Sequence, residues 1–374
     1  MIERSLQQAV EERLGRGKAI IVLGARQVGK TTLLRRIFSP DDSRVLWLNG
    51  DEQDVRSLFE DASSTKLRAV VGKRTVVVID EAQRIADVGL RLKLLTDNMP
   101  EVQVVATGSS SFDLANKINE PLTGRKFEFR MFPLSFAELV AHNGLLEEKR
   151  LLGNRLVYGS YPDVVVNEGE ERLTLSELAD SYLYKDILTL DRIKKSDRLV
   201  RLLQALALQI GSEVSYNELA QTCGLDAKTV DSYVNLLEQS FIIFRLGSYS
   251  RNLRNELKFA RKIYFWDCGI RNAVIGNFQM AEMRNDVGAL FENYLVAERL
   301  KKLYGEKSYA KGFFWRTAAR QEIDYIEEKD GAIEAYEFKW NPRRTASAPL
   351  SFARAYPGAP FKVFTRENYE EFLL

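Results

Sequence analysis

The sequence has 374 residues and a formal net charge of +2, so we expect two or three domains and, for any nucleic acid, a local basic patch instead of a basic chain. Its single histidine, His142, excludes HExxH metalloproteases, histidine-liganded nucleases and Ser-His-Asp hydrolases, because each needs at least one well-placed imidazole and most need more. The two cysteines, Cys223 and Cys268, form no CxxC pair and suit a reducing compartment.

The sequence predicts neither a targeting segment nor a membrane span. Residues 1–5 lack the apolar core of a signal peptide. No apolar run approaches the ~20 residues that a membrane-crossing helix requires. We therefore expect a soluble, cytoplasmic protein without membrane contact.

The first elements along the chain are a strand, a glycine-containing loop and a helix. Residues 19–23 are an apolar run typical of a buried strand, and residues 32–38 continue as a helix that Ser39-Pro40 ends. Between them the sequence GARQVGKT at 24–31 is the P-loop pattern, whose curled backbone directs N–H groups at phosphates. A glycine turn with a chance lysine is the alternative, and the strand–loop–helix context disfavours it.

Each position of this loop has a predicted role in binding ATP. Lys30 is predicted to reach the β- and γ-phosphates, and the Thr31 hydroxyl to bind Mg²⁺. The predicted nucleotide-binding positions are Gly24, Gln27, Val28, Gly29, Lys30, Thr31 and Thr32, with Asp80 and Thr107 from later strands.

An acidic pair follows another apolar strand. Residues 44–49 predict a second strand, and the run at 75–79 predicts a third that ends in Asp80-Glu81. Asp80 is predicted to hold Mg²⁺ through its water shell, and Glu81 to polarise the attacking water. An acidic pair that only caps a core strand is the alternative, which the neighbouring P-loop disfavours. The motif pair predicts an ATPase with ATP and Mg²⁺ as cofactors.

Two further strands complete the predicted N-terminal sheet. Residues 102–108 and 126–132 read as strands, and strands that alternate with helices indicate a parallel sheet with the ligand at the strand carboxyl ends. Thr107 or Ser109 could sense the γ-phosphate, with a plain turn as the alternative. Arg125 is a candidate catalytic arginine finger, supplied in cis or by a neighbouring subunit; a surface arginine is the alternative.

The middle of the chain predicts a helical lid followed by a winged helix. Residues 133–212 are mostly helical in pattern, whereas 213–275 read as two short helices across a tight turn and then two apolar strands. The segment between these strands contains six basic residues and one acidic residue, Glu256. This local excess of positive charge suits phosphate binding. A wing used for packing or partner binding is the alternative. The six predicted DNA-binding residues are Arg245, Arg251, Arg254, Lys258, Arg261 and Lys262.

The C-terminal region orders its charges as in a PD-(D/E)XK nuclease core. A helix carries Glu292, one strand carries Asp324, and the next carries Glu337 and Lys339 on one face. Glu292, Asp324 and Glu337 are predicted metal ligands, and Lys339 is predicted to orient or activate water. The alternative is a nuclease fold whose charges only pair with one another.

Together these stretches resemble a large family of bacterial and archaeal AAA+-like ATPases with a C-terminal domain of uncharacterised function. The resemblance is carried by residues 24–31, 76–81, 107–110, 122–125, 131–138, 159–162, 184–187, 288–294, 322–324 and 337–339. It implies an α/β fold with a P-loop NTPase parallel sheet, a helical lid, a winged helix-turn-helix and a restriction-endonuclease-like α/β domain. The implied domains span 1–135, 136–212, 213–280 and 281–374. Retained C-terminal acidic residues, which some relatives have lost, favour a working metal site.

Two functions stay open at this point. In the first, ATP hydrolysis drives an action on DNA, with cleavage by the C-terminal domain as an option. In the second, the protein is a nucleotide-dependent switch that binds DNA or a protein partner without cutting. Both functions are compatible with a homo-oligomer in which a neighbouring subunit supplies Arg125.

Overall fold

The computed structural model describes residues 2–60, 62–109, 118, 121–180, 196–250 and 261–374. These residues form two compact units. Unit 1 comprises Met1–Pro133 with Gln239–Phe241, and unit 2 comprises Leu134–Glu238 with Ile242–Leu374. Among the described helices, none has the length and apolar character that crossing a bilayer needs.

Unit 1 is built on a five-stranded parallel sheet, as the sequence predicts. The strands are β1 (Ala19–Gly24), β2 (Val45–Asn49), β3 (Val76–Asp80), β4 (Gln103–Gly108) and β5 (Lys126–Met131), in the order β2-β3-β4-β1-β5. β1 is buried along its whole length, as expected for a strand of a parallel sheet that is covered on both faces. Because all strands run the same way, β1, β3 and β4 end at one edge of the sheet.

Five helices and one short turn of 3₁₀-helix accompany this sheet in the described part of unit 1. They are α1 (Leu6–Glu11), α2 (Lys30–Ile37), α3 (Gln53–Glu60), α4 (Ser64–Val71), α5 (Val88–Asn98) and the 3₁₀ turn Ala82–Arg84. α2 begins directly after the P-loop, so its N-terminal N–H groups face the carboxyl edge of the sheet, where an anion is stabilised.

Unit 2 contains a seven-stranded mixed sheet. Its strands are β6 (Glu213–Val214), β7 (Ile243–Ser248), β8 (Arg261–Phe265), β9 (Lys311–Arg316), β10 (Glu322–Lys329), β11 (Ala332–Lys339) and β12 (Phe361–Thr365), in the order β12-β11-β10-β9-β7-β8-β6. The β11–β12 and β7–β9 pairs are parallel and the other pairs antiparallel. One core cluster joins Trp315, Ile323 and Ile326 of the sheet to Phe352 and Tyr356.

Helices precede, interrupt and follow the strands of unit 2. They are α6 (Phe136–Asn143), α7 (Leu145–Arg150), α8 (Leu152–Tyr158), α9 (Pro162–Val166), α10 (Glu171–Asp180), α11 (Ser196–Leu208), α12 (Tyr216–Cys223), α13 (Ala227–Gln239), α14 (Cys268–Ile275), α15 (Val287–Gly305), α16 (Leu350–Ala355) and α17 (Glu370–Leu373), with a 3₁₀ turn at Ala281–Met283. The long helix α15 packs against β8 and β11.

The strands predicted as the hairpin of a winged helix belong to the same sheet as the C-terminal strands. β7 pairs with β8 antiparallel, and its other edge pairs with β9 in parallel, with Gly247 opposite Phe313. The predicted boundary at residue 280 therefore separates strands that share one sheet. Local patterns cannot reveal this pairing, because it joins segments more than 60 residues apart.

A buried ion pair stabilises the helical part of unit 2. Arg155 of α8 donates from Nε and Nη2 to the carboxylate of Glu148 at 3.1 and 2.8 Å. The side chains are 7% and 0% exposed. The adjacent residue, Glu147, pairs instead with Arg150, at 49% and 66% exposure. Neighbouring glutamates on α7 thus make one buried and one exposed ion pair.

We predict that Glu148→Ala lowers the free energy of unfolding of unit 2 by about 3–5 kcal/mol, because it leaves a buried guanidinium without its counter-charge. The matched variant Glu147→Ala removes an exposed pair and should cost at most about 1 kcal/mol. Calorimetric unfolding of both variants measures the difference. Equal destabilisation in the two variants would show that the Arg155 pair is not the buried charge contact described above.

Candidate functional site

The loop after β1 has the geometry that a phosphate-binding turn needs. Gln27 and Gly29 have φ values of 56° and 94°, which curl the backbone, and glycine adopts such values without strain. At Gly24, β1 lies close to the backbone of β5, since a Cβ added there would be 2.2 Å from the Met131 carbonyl oxygen. Only glycine therefore fits at the first position of the loop.

The ammonium of Lys30 lies inside this loop. Its Nζ donates to the carbonyl oxygens of Gly24 at 2.9 Å and Ala25 at 2.7 Å, and the residue is 5% exposed. An ammonium rotates its three donors freely and serves as a point charge for phosphate oxygens. The loop therefore holds a positive charge at the place that the predicted role of Lys30 requires.

Asp80 connects three elements at the carboxyl edge of the sheet. Thr31 of α2 donates through Oγ1 to Asp80 Oδ2 at 2.7 Å, and Thr107 of β4 donates through Oγ1 to Asp80 Oδ1. Thr107 is fully buried, and its hydroxyl also accepts from the Glu81 N–H at 3.0 Å. The structure thus places Thr107 as the residue that orients Asp80 and the Glu81 backbone.

These oxygens fit a hard divalent cation. Mg²⁺ prefers oxygen ligands and is usually bound by one or two protein groups, its water shell and the substrate phosphates. The Thr31 hydroxyl and the Asp80 carboxylate, 2.7 Å apart, are of that kind. Lys30 and the α2 N-terminus lie beside them for the phosphates. The donor set matches Mg²⁺ bound together with a nucleotide.

Glu81 is held by a residue that the motifs did not single out. Glu81 has φ 49° and ψ 42°, an uncommon conformation for a non-glycine residue that is frequent at functional sites. Its Oε2 accepts from Gln83 Nε2 at 2.5 Å, and the same amide donates to Ser109 Oγ at 2.9 Å. Gln83 therefore links Glu81 to the end of β4. Its place two residues after the acidic pair is the signal that could have identified it.

The predicted cis role of Arg125 is wrong. Arg125 precedes β5, its carbonyl accepts from the Ala19 N–H at the start of β1, and its Nε bonds Asp97 Oδ1 at 2.6 Å. The P-loop begins at the opposite end of β1, where Gly24 pairs with Met131. At ~3.3 Å per residue, the strand separates the two by about 17 Å. Only a second copy of the chain could bring this side chain to a nucleotide, and that role stays a prediction.

Arg4, near the N-terminus, is a second residue that sequence reasoning missed. Its Nη1 donates to the Val28 carbonyl oxygen at 2.7 Å and its Nη2 to the Phe132 carbonyl oxygen at 2.6 Å. A trans peptide directs its C=O and N–H to opposite sides, so Arg4 also sets the direction of the Gly29 N–H in the P-loop. A lone arginine near a terminus carries no sequence signal for this role.

The structure describes three of the six predicted DNA-binding residues, and they differ in exposure. Lys262 is 1% exposed and pairs with Glu292 and Glu322, so its prediction as a phosphate contact is wrong. Arg245 is 23% exposed, and its guanidinium donates to Glu238 and Asn235. Arg261 is 42% exposed and 4.0 Å from Asp231. Three predicted contacts lie outside the described residues: Arg251, Arg254 and Lys258.

The structure brings the four predicted nuclease residues into one neighbourhood. We name the carboxylate–lysine cluster by its members Lys262, Glu292, Glu322, Asp324, Glu337 and Lys339, which lie on β8, α15, β10 and β11. Burial, followed by the charges of Glu292 and Glu337, raises the pKa of Asp324 well above its usual range. The carboxylates of Asp324, Glu292 and Glu337 therefore interact electrostatically, although they lie on two strands and a helix.

Two lysines of the chain itself pair with three of the four carboxylates in this cluster. Lys262 Nζ lies 3.0 Å from Glu292 Oε1 and 2.5 Å from Glu322 Oε1, and Lys339 Nζ pairs with Glu337. Asp324 Oδ2 accepts from the Phe338 N–H at 2.8 Å. Burial alone would lower the pKa of Lys262, but Glu292 and Glu322 raise it above its usual value. Within the described ranges, no three His, Cys, Asp or Glu side chains are arranged to hold a metal ion.

Comparison with protein families separates the chain into three matched segments. Residues 16–140 match an AAA domain, residues 149–281 match a domain of unknown function (DUF8612), and residues 287–370 match another (DUF4143). The first match includes the P-loop, Asp80, Glu81 and Thr107. It supports an AAA-like ATPase family and a P-loop, nucleotide-binding function for unit 1.

Similar proteins from bacteria and archaea extend over most of the chain. An uncharacterized protein of Haemophilus influenzae is 25% identical over 312 residues, which are 76% of this chain and 74% of that protein. One from Mycobacterium tuberculosis is 26% identical over 378 residues, covering 96% and 81%. One from Methanocaldococcus jannaschii is 20% identical over 344 residues, covering 86% and 74%.

Two solved structures that are similar to parts of the chain resemble it only distantly. A signal transduction ATPase with numerous domains and a tetratricopeptide repeat sensor from Pyrococcus horikoshii has a TM-score of 0.32 at 11% identity, over 81% of this chain and 45% of that one. The Pif1 helicase from Candida albicans has a TM-score of 0.26 at 14% identity, over 71% and 63%.

We predict that Arg4→Gln weakens nucleotide binding by roughly tenfold, because a hydrogen bond from a charged donor contributes about 1.5–3 kcal/mol and part of that energy supports the P-loop. Arg36→Gln is the matched control, since Arg36 makes an exposed pair with Glu3, at 37% and 80% exposure. Titration with a fluorescent ADP analogue measures both. Identical affinities in the two variants would contradict the role of Arg4.

Proposed function

We propose that unit 1 binds and hydrolyses ATP with Mg²⁺. The observation that carries this proposal is the shared use of Asp80 by the hydroxyls of Thr31 and Thr107. It places a candidate Mg²⁺ ligand of the P-loop, the acidic end of β3 and the end of β4 within hydrogen-bond distance of one another. The AAA-domain match over residues 16–140 supports the same proposal.

In this proposal each side chain has a distinct task. Lys30 and the N-terminus of α2 neutralise phosphate oxygens, while Thr31 and Asp80 hold Mg²⁺ directly or through its water shell. The bound Mg²⁺ supplies charge for the phosphate oxygens. Glu81 accepts a hydrogen bond from the attacking water, and Gln83 sets the position of the Glu81 carboxylate beside β4.

The variants Lys30→Ala and Glu81→Gln separate binding from hydrolysis. Lys30→Ala should abolish tight ATP binding, whereas Glu81→Gln should bind ATP normally and hydrolyse it about 10²–10⁴-fold more slowly, because the water is no longer polarised. ATP titration and phosphate release measure the two steps.

Glu101→Gln serves as the control for this pair, because Glu101 makes an exposed ion pair with Arg68 at 57% and 58% exposure. It should leave both binding and hydrolysis unchanged. Equal phosphate release from the wild type and Glu81→Gln would contradict the assignment of Glu81.

We further propose that the nucleotide state controls binding of unit 2 to DNA without strand cleavage. The local excess of bases between residues 245 and 262 supports DNA binding, although Arg245 and Lys262 serve the ion pairs of unit 2 instead. Pairing of the carboxylate–lysine cluster with its own lysines favours the function without cleavage. A protein partner at the same segment is the competing outcome that binding assays distinguish.

We predict that Arg251→Ala with Arg254→Ala flattens the log–log dependence of duplex binding on salt by about one unit for each phosphate that these side chains neutralise in the wild type. The matched control is Lys329→Ala with Arg354→Ala, which removes the same charge from exposed positions of β10 and α16. Fluorescence anisotropy over a salt series measures the slopes. An unchanged slope and affinity in the first variant would exclude this segment as the DNA surface.

A further inference from the structure

We propose that Lys262 is a built-in cation of the carboxylate–lysine cluster, and that Lys262 and a divalent metal ion exclude each other there. The proposal concerns unit 2 alone and goes beyond the proposed ATPase function. It addresses the disagreement between a nuclease-like order of residues and the absence, within the described ranges, of a group arranged to hold a metal ion.

Acidic and aromatic side chains surround the ammonium of Lys262. The Lys262 side chain is 1% exposed, and its ammonium lies 3.0 Å from Glu292 Oε1, 2.5 Å from Glu322 Oε1 and 5.4 Å from the centre of the Phe314 ring. Two carboxylates and an aromatic face surround the charge, and an aromatic face stabilises a cation. This is the environment of an internal counter-ion and not of a side chain that contacts a DNA phosphate.

Strand geometry explains why Lys262 reaches this place. Residues two apart on a strand share a face, so Lys262 and Tyr264 of β8 both point towards α15. Tyr264 donates its hydroxyl to the same Glu292 Oε1, at 2.6 Å. One carboxylate oxygen therefore receives both an ammonium and a phenol, and it has no free position for a metal ion.

The two lysines of the cluster also balance part of the negative charge of its carboxylates. Asp324 is partly buried and lies close to the carboxylates of Glu292 and Glu337, and carboxylates that are close together and partly withdrawn from water need nearby positive charge to remain ionised. Lys262 and Lys339 supply one charge each, which together equal the charge of one divalent ion. An ion at the cluster would have to displace a buried, paired lysine, which weakens its binding by about 100- to 1,000-fold.

The test compares Mn²⁺ binding to the wild type, to Lys262→Met and to Lys362→Met. Methionine keeps an unbranched side chain and removes the charge. Lys362 is the matched control, because it pairs with Glu334 on the neighbouring strands at 52% and 44% exposure. Isothermal titration with Mn²⁺ measures affinity, and thermal unfolding with and without Mn²⁺ measures stabilisation.

Three results are expected. The wild type and Lys362→Met give no Mn²⁺ binding heat below millimolar concentration. Lys262→Met unfolds at a lower temperature than the wild type without metal, binds Mn²⁺ at least about 100-fold more tightly and regains stability with it. Replacing Glu292 by Gln in Lys262→Met weakens the Mn²⁺ effect, because one of the ligand carboxylates is gone.

The opposite results overturn the proposal. They are micromolar Mn²⁺ binding by the wild type that Glu292→Gln abolishes, metal-dependent cleavage of DNA by the wild type, or Mn²⁺ affinity of Lys262→Met equal to that of Lys362→Met. Should Lys262→Met fail to fold, Lys262→Met with Glu322→Gln replaces it, because this variant removes the lysine together with one of its carboxylate partners. The same gain in Mn²⁺ affinity over the wild type is then required.

Discussion

The arrangement of unit 1 depends on one carboxylate that accepts two hydroxyls. Thr31 and Thr107 donate to the two oxygens of Asp80, so that α2, β3 and β4 meet at a single side chain. The strand order makes this possible, because β4 lies between β3 and β1 and all three end at the same edge. Moving any of these strands by one residue would separate the hydroxyls from the carboxylate. The position of Glu81 follows from this contact, since its N–H bonds the same Thr107 hydroxyl.

Contacts from residues outside the motif support the P-loop. Arg4 bridges the carbonyls of Val28 and Phe132, and Gly24 allows β1 and β5 to approach more closely than a side chain would permit. The nucleotide site is therefore supported by the N-terminal segment and by the end of β5, neither of which belongs to the loop sequence. Such supporting contacts hold the N–H donors of a phosphate site in place before the ligand arrives, which lowers the cost of ordering them on binding.

In unit 2, charged side chains that are withdrawn from water pair with opposite charges of the same chain. Arg155 and Glu148 are buried and pair with each other, and in the carboxylate–lysine cluster Glu292, Glu322 and Glu337 each pair with a lysine of the chain. Burying such groups is costly unless they are paired and hydrogen-bonded. Residues that in sequence look like ligands for a phosphate or a metal can thus be internal counter-ions. Lys262 illustrates this most clearly, because it follows the basic Arg261 in the sequence whereas its charged partners in space are Glu292 and Glu322.

The sequence by itself determined the parallel sheet of unit 1, the P-loop between β1 and α2, and the acidic end of β3, because each rests on a local pattern of apolar runs, glycines and charges. It also predicted strands that overlap β7, β8 and the strands that carry Asp324 and Glu337, although β7 begins and ends later than predicted. Only the tertiary structure decided that Arg125 lies at the far edge from the P-loop, that β7 and β9 pair in one sheet, and that Lys262 meets Glu292 and Glu322. Each of these depends on partners that are distant along the chain, and a local pattern contains no information about which distant charge or strand edge will be nearby.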